Sequence, residues 1–248
     1  MNIEFDDGYS FGLGLFETVL LYDNRAIFLE EHIARINNSL VTLGINTNKL
    51  TKDEIEKFLD NSKSLFSETK KKEVLKIVIS EKNRVFLRKD YSYKEEDFEK
   101  GFKIDISSVL RNETSVLTYH KTLNYGDNIL EKRKSKKNNY DEPIFLNSKG
   151  EITEGATTNI FFIKDKKIYT PRLSCGLLNG TLRKYILLNY EVTEKKIYLN
   201  EVDTYDEIFV TNSLLGVMPV IQFGEKRLES TKLSKKIRLN YEKKINIL

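Results

Sequence analysis

Apolar positions in the first hundred residues alternate between two periods. Residues 15–22 (LFETVLLY) and 25–29 (RAIFL) are rich in strand-forming side chains and flank Asp23-Asn24, so they read as strands around a turn. In 30–44 (EEHIARINNSLVTLG) the side chains Ile33, Ile36, Leu40 and Leu43 recur at helical spacing. Glu30 and Glu31 sit in the first turn and Gly44 at the end. On that helix His32, Arg35 and Ser39 fall at i, i+3 and i+7, a polar stripe beside the apolar face. Residues 51–67 begin with Thr51 and Glu54 in capping-box spacing and predict a second helix. Strands are expected at 74–80, 84–88 and 102–109, and the turn-like RNETS at 111–115 is the candidate linker. A helix at 126–138 follows, then strands at 142–147, 158–164 and 167–170. A helix at 180–190, strands at 207–211 and 217–222 and a helix at 230–244 complete the chain. This order mixes α and β without the strict alternation of a doubly wound sheet, so the expected class is mixed α/β (α+β). At 248 residues, one large domain or two of about 120 both fit.

Composition narrows the function classes. Hydrophobic residues make up 40% and charged residues 31%, enough apolar material for a core and too much for wholesale disorder. Basic residues exceed acidic ones by only 41 to 37, whereas a dedicated nucleic-acid binder carries a stronger excess on one face. The charge run from Glu131 to Lys137 reads as a solvated helix face. One cysteine, Cys175, excludes an internal disulfide framework and a multi-cysteine metal site; with only His32 and His120, a His-rich metal site is not expected either. The start, MNIEFDD, is acidic and lacks a signal-peptide pattern. The longest uncharged stretch, 208–224, contains Thr211, Asn212, Ser213 and Pro219 and falls short of the ~20 apolar residues of a membrane span. The expectation is a cytoplasmic protein with neither a membrane nor a nucleic-acid partner.

Three segments have chemical content. TEGATTN (153–159) places the carboxylate of Glu154 before small residues that let a ligand approach the backbone; the plain alternative is a hairpin corner with a surface Glu. LLNGTLR (177–183) puts Asn179 or Gly180 at a helix N-terminus, which binds phosphate through unpaired N–H groups or is simply capped by Asn179. YHKTLNY (119–125) sets Lys121 among aromatic residues and a histidine. A desolvated lysine has a lowered pKa and attacks carbonyls, although most lysines are surface residues.

These segments occur in an order that resembles the fold-type IV pyridoxal-phosphate enzymes: branched-chain aminotransferases, D-amino acid aminotransferases and 4-amino-4-deoxychorismate lyases. The resemblance rests on FDDGYSFGLGLFET (5–18), EEHIARINNSL (30–40), HKTLNY (120–125), EPIFLNSKGEITEGATTNIFFIKDKKIYTP (142–171), SCGLLNGTLR (174–183) and EIFVTNSLLGVMPV (207–220). It implies a two-domain, D-amino acid aminotransferase-like fold, with a small domain at 1–110 and a larger one at 111–248 that carries the Schiff-base lysine. By the same resemblance Lys121 carries pyridoxal 5'-phosphate as an aldimine and shuttles the proton, Glu154 pairs with the pyridine nitrogen, and Arg35 grips the phosphate. Thr181 and Leu182 supply helix N–H groups, and Asn212 and Ser213, with Thr211, close the phosphate cup. Tyr125 reaches the phenolic oxygen, and Asn159 is a further cofactor-binding residue. The family start is often longer, so the first small-domain strands are expected to be trimmed. Leu13 stands where the family usually has an acidic residue, and Thr181-Leu182 where it has isoleucine-threonine.

KTLNY, GLLNGTLR and TNSLLGVMPV most resemble the lyase subgroup, which releases pyruvate and 4-aminobenzoate for folate biosynthesis; a D-amino acid or branched-chain transaminase is the alternative. Under the lyase reading Thr18 donates a proton; Arg84, Arg88 and Arg111 are candidate partners for substrate carboxylates, with a plain surface role the favoured reading of each. The resemblance also implies a homodimer acting on a small molecule. A non-catalytic basic module is the contrasting class and predicts a colourless protein.

Overall fold

The computed structural model describes residues 2–62 and 71–245. The chain divides into two compact units, residues 1–92 with 120–125, and 93–119 with 126–248.

The first unit contains α1 (Asp7–Phe11), β1 (Leu15–Tyr22), β2 (Arg25–Ala26), α2 (Leu29–Thr42), α3 (Lys52–Asn61), β3 (Lys72–Ile79) and β4 (Arg84–Asp90). Its antiparallel sheet runs in the order β2-β1-β3-β4. Asp23 and Asn24 both take positive φ, 47° and 63°, which matches the twist of a tight hairpin. The strand read at 25–29 stops after Ala26, because Phe28 turns into the left-handed region and starts α2 one residue later. The Thr51–Glu54 capping box opens α3, and residues 63–67 of the expected second helix lie outside the described residues. Register sets the faces: Leu15, Glu17 and Val19 oppose Ile79, Ile77 and Leu75, whereas Phe16 and Thr18 oppose Val78 and Lys76. The first set, Glu17 excepted, forms the core with Ile36 and Leu40 of α2 and Ile55 and Leu59 of α3. The second set occupies the other face, because neighbouring strand residues point oppositely.

The second unit contains α4 (Glu95–Lys100), β5 (Phe102–Arg111), α5 (Gly126–Lys137), β6 (Glu142–Asn147), β7 (Ile152–Gly155), β8 (Asn159–Lys164), β9 (Lys167–Pro171), α6 (Thr181–Asn189), β10 (Val192–Lys195), β11 (Glu207–Asn212), β12 (Gly216–Phe223), β13 (Lys226–Arg227) and α7 (Lys232–Lys244). Its sheet runs β10-β9-β8-β11-β12-β5-β6-β7, with β13 on β12. The far strand β7 also meets β8, so the sheet curls and brings Glu154 and Asn159 to one corner. Its core holds Ile104, Ile144, Ile160, Phe162, Ile208, Val210, Met218 and Val220.

The unit boundary differs from the one drawn at 110/111. β5 pairs in parallel with β6 and β12 and therefore belongs wholly to the second unit. RNETS is tied down rather than linking: buried Glu113 accepts the Ser148 hydroxyl at 2.6 Å, and Arg111 ends β5. Residues 120–125 join the first unit instead, through Phe16 N–H to Lys121 O at 2.9 Å and Leu123 N–H to Gly14 O at 2.8 Å. A Cβ on Gly12, whose φ is 72°, would lie 2.9 Å from Asn124 N, so glycine is required where this segment docks. Among the described residues no helix is long and apolar enough to cross a membrane.

Candidate active site

In the first unit the chemistry gathers around Phe16. The Nζ of Lys121 lies 4.2 Å from the centre of that ring and 4.9 Å from the ring of Tyr125, which meets Phe16 edge-on at 5.0 Å. A second ammonium, that of Lys76, stands 3.4 Å from the same Phe16 centre. The two nitrogens are therefore within about 7.6 Å of each other, since both distances meet at one point. Burial pulls Lys76 down from 10.5 to about 7, with the charge on Lys121 acting in the same direction. Thr18 is the direct cross-strand neighbour of Lys76.

On the opposite sheet face, Glu17 is a carboxylate inside an apolar core, 1% exposed. Such a charge persists only when paired. The Arg35 guanidinium grips it side-on, Nε to Oε1 at 2.7 Å and Nη2 to Oε2 at 2.6 Å, and His32 Nδ1 lies 2.7 Å from Oε2. Burial raises the Glu17 pKa, but Arg35 and His32 outweigh it and hold the carboxyl well below its ordinary range. Burial holds His32 below its ordinary value and favours the neutral ring; because the ionised Glu17 carboxylate can only accept, the ring hydrogen sits on Nδ1. Ser39 meets His120 Nδ1 at 2.7 Å and donates to Arg35 O, tying the residue before Lys121 to α2.

In the second unit Glu154 is 7% exposed and accepts the Leu178 N–H at 3.0 Å, while Arg111 Nη2 approaches its Oε1 at 3.3 Å. Arg111 lies 4.0 Å over the Phe145 ring and donates to Asn128, which in turn holds Ala156 O at 2.6 Å. The loop after Glu154 is braced by Glu142, fully buried, which accepts from Lys132, from Thr157 N and Oγ1, and from Thr158 Oγ1. The α6 N-terminus has Gly180 at the cap position and no side-chain cap. Asn179 faces Arg183 instead of capping the helix, so the plain capping alternative does not hold. Thr181 and Ser213 hydroxyls meet at 2.9 Å beside that end, and the Thr211 hydroxyl is buried with no hydrogen-bond partner. The helix start thus presents the N–H groups of Thr181 and Leu182 and the positive end of the helix dipole beside the two hydroxyls, the chemistry an anion suits.

Lys121, Tyr125, Thr18 and Arg35 thus fall in the first unit, and Glu154, Asn159, Thr181, Leu182, Asn212 and Ser213 in the second. The two asparagines among them brace the protein's own backbone. Asn159 donates its amide to Leu178 O at 2.8 Å, and Asn212 accepts from Leu214 and Leu215 N–H while donating to Thr157 O, which shapes the turn carrying Ser213. The arginines considered for substrate carboxylates already hold partners: Arg84 binds Glu54, Arg88 binds buried Glu73, and Arg111 binds Glu154. Lys76, Glu17 and Glu142 have no local sequence signature. Lys76 becomes visible only through the β1/β3 register.

The sequence profile of the amino-transferase class IV family matches residues 14–223. The chain is 28% identical to the aminodeoxychorismate lyase of Bacillus subtilis strain 168, over 97% of this chain and 88% of that one. It is also 28% identical to the D-alanine aminotransferase of Bacillus licheniformis, over 87% and 80% respectively. A Legionella pneumophila structure described as a 4-amino-4-deoxychorismate lyase superposes with a TM-score of 0.87 at 22% identity, covering 98% of this chain and 95% of that one.

Proposed function

We propose that this chain, which belongs to the class IV aminotransferase family, acts within it as a 4-amino-4-deoxychorismate lyase that releases pyruvate and 4-aminobenzoate. The family depends on pyridoxal 5'-phosphate, and the residues present fit that group. An uncapped helix end with two hydroxyls suits a phosphate, a paired buried carboxylate suits a cationic ring nitrogen, and an amine over an aromatic ring suits an aldehyde. When bound, that cofactor supplies the aldehyde that takes up an amine and the cationic ring that accepts electron density.

Each residue then has a defined task. Lys121 provides the amine and moves the proton at the carbon bearing the substrate nitrogen. Glu154, oriented by Leu178 N–H and Arg111, holds the proton on the ring nitrogen. The α6 N–H groups, Thr181 and Ser213 suit the phosphate, and the family resemblance assigns Arg35 to that group as well. Tyr125 serves the ring oxygen, and Thr18 gives up a proton as the enolpyruvyl group departs.

Lys76 is the observation that carries the choice of lyase. The lyase substrate brings two carboxylates, and a second ammonium near Lys121 suits the second of them; the amino donors of the alternative, D-alanine or a branched-chain amino acid, have one, but its 2-oxoglutarate acceptor has two, so the product assay below decides. The Bacillus subtilis lyase supports the reading by coverage alone, 97% of this chain against 87% for the equally identical D-alanine aminotransferase. The exposed side chains Phe5, Tyr9 and Phe11, 72%, 71% and 69% accessible, favour a second copy of the chain as their cover, which light scattering after size exclusion tests.

The deciding experiment follows pyruvate and 4-aminobenzoate release from 4-amino-4-deoxychorismate with no 2-oxo acid added, beside a tube holding D-alanine and 2-oxoglutarate. Many turnovers in the first tube alone are expected. Turnover only in the second would make the protein a transaminase. A colourless protein that takes up no pyridoxal phosphate, with no effect of Lys121→Ala, would remove the enzyme reading altogether.

A further inference from the structure

We propose that Glu17 is a positioning residue that aims Arg35 at its anion, with His32 as the lock on Glu17. The proposal rests on the reading of Arg35 as a phosphate-binding residue.

The argument starts from the sheet. Glu17 occupies a position opposite Ile77, between the core positions Leu15 and Val19, where the strand pattern calls for an apolar side chain. A carboxylate there is costly to fold around, so a function has to account for it. What it accomplishes is geometric. By accepting from Nε and Nη2 together, its two oxygens fix the plane of the Arg35 guanidinium and leave the opposite edge, with Nη1, turned away from the carboxylate.

A single carboxylate could swing about its own side chain, and His32 prevents that. The imidazole is 0% exposed and donates from Nδ1 to Oε2, the oxygen that also receives Nη2. Its other nitrogen, Nε2, is buried without a hydrogen-bond partner. An apolar side chain would fill the same space without that cost, so the Nδ1–H is the group this position requires. Ser39, two turns after His32 on α2, holds Arg35 O and so steadies the backbone from which the guanidinium extends.

A competing role for Glu17 would be that of a plain counter-charge. The two roles predict opposite signs. A counter-charge opposes the binding of a phosphate, so its removal tightens binding; a positioning group sacrifices some attraction for orientation, so its removal weakens it.

The test titrates the cofactor-free full chain with pyridoxal 5'-phosphate and, separately, with pyridoxal, which lacks the phosphate, following visible absorbance. Glu17→Gln is expected to weaken pyridoxal phosphate ~tenfold and pyridoxal less than about twofold. Its amide presents N–H groups toward the donors Nη2 and Nδ1. In an Arg35→Gln background the same change is expected to have no further effect, because Glu17 acts through Arg35. His32→Phe, which removes only the lock, is expected to give the same selective loss at roughly threefold, and it keeps the test alive if Glu17→Gln fails to fold.

Tighter binding of pyridoxal phosphate by Glu17→Gln would overturn the proposal in favour of a counter-charge. Equal losses for both ligands, with a lowered melting temperature, would overturn it in favour of a packing role. If Arg35→Gln leaves the preference for the phosphorylated ligand intact, the reading of Arg35 itself falls and this proposal falls with it.

Discussion

Replacing Lys76 by methionine tests whether its charge recognises substrate. The ammonium lies over Phe16, and burial with the neighbouring Lys121 brings its pKa to about 7 from 10.5. The sign follows directly: Lys76 is charged below pH 7 and neutral above it. At pH 6 about nine-tenths of the molecules carry the charge and at pH 8 about one-tenth. If only the charged form holds the second carboxylate, KM for 4-amino-4-deoxychorismate rises roughly tenfold between pH 6 and pH 8. A charge-assisted hydrogen bond is worth about 1.5–3 kcal/mol net. Lys76→Met should therefore raise KM at pH 6 by ~ten- to hundredfold and flatten its dependence on pH, with methionine keeping most of the apolar stem. The assay is continuous 4-aminobenzoate fluorescence across that range. A flat KM in the wild-type protein, or an unchanged slope in Lys76→Met, would refute the reasoning.

Three further outcomes are expected. Arg111→Met removes the cation paired with the buried Glu154 carboxylate and should cost about 3 kcal/mol, lowering the melting temperature of the cofactor-free protein by roughly 6–12 °C; a fall of under about 2 °C would show the pair to be dispensable. Ser213→Ala removes one of the two hydroxyls at the α6 end and should weaken pyridoxal phosphate roughly five- to tenfold with no change in the melting of the cofactor-free chain. Asp6 accepts from Ser80, Asn83 and the N–H groups of Tyr9 and Lys82; against the pull of burial these bonds bring its pKa from 3.8 to about 2. Its stabilisation is complete above about pH 4 and fades as pH falls toward 2, so the gap in melting temperature between wild type and Asp6→Asn should close over that interval.

What the sequence disclosed was local. The α2 stripe of His32, Arg35 and Ser39 was legible because helical spacing alone places those residues together, and Thr51 with Glu54 announced the start of α3. β7 was not legible, because four residues inside TEGATTN carry no alternation to mark a strand. The strand at 25–29 was overrun because nothing in RAIFL reveals that Phe28 takes a left-handed conformation. Asn179 looked like a cap, yet Arg183 four residues on competes for its oxygen and leaves the helix end to Gly180. The pairings of Arg111 with Glu154 and of Thr18 with Lys76 join residues 43 and 58 positions apart. Each depends on strand register, which no single segment encodes.

The route of the chain limits how the molecule can be taken apart. It leaves the first unit after Ser92, returns for six residues that include Lys121, and leaves again at Gly126. The six returning residues supply the backbone partners of Gly14 and Phe16. A fragment ending at Ser92 would therefore lack both Lys121 and the backbone pairing at the start of β1, and a fragment beginning at Tyr93 would carry Lys121 on a segment deprived of its docking strand. One cut cannot separate the two units. Exchanging the first unit with that of a relative requires a two-piece graft, and the short return segment must travel with it.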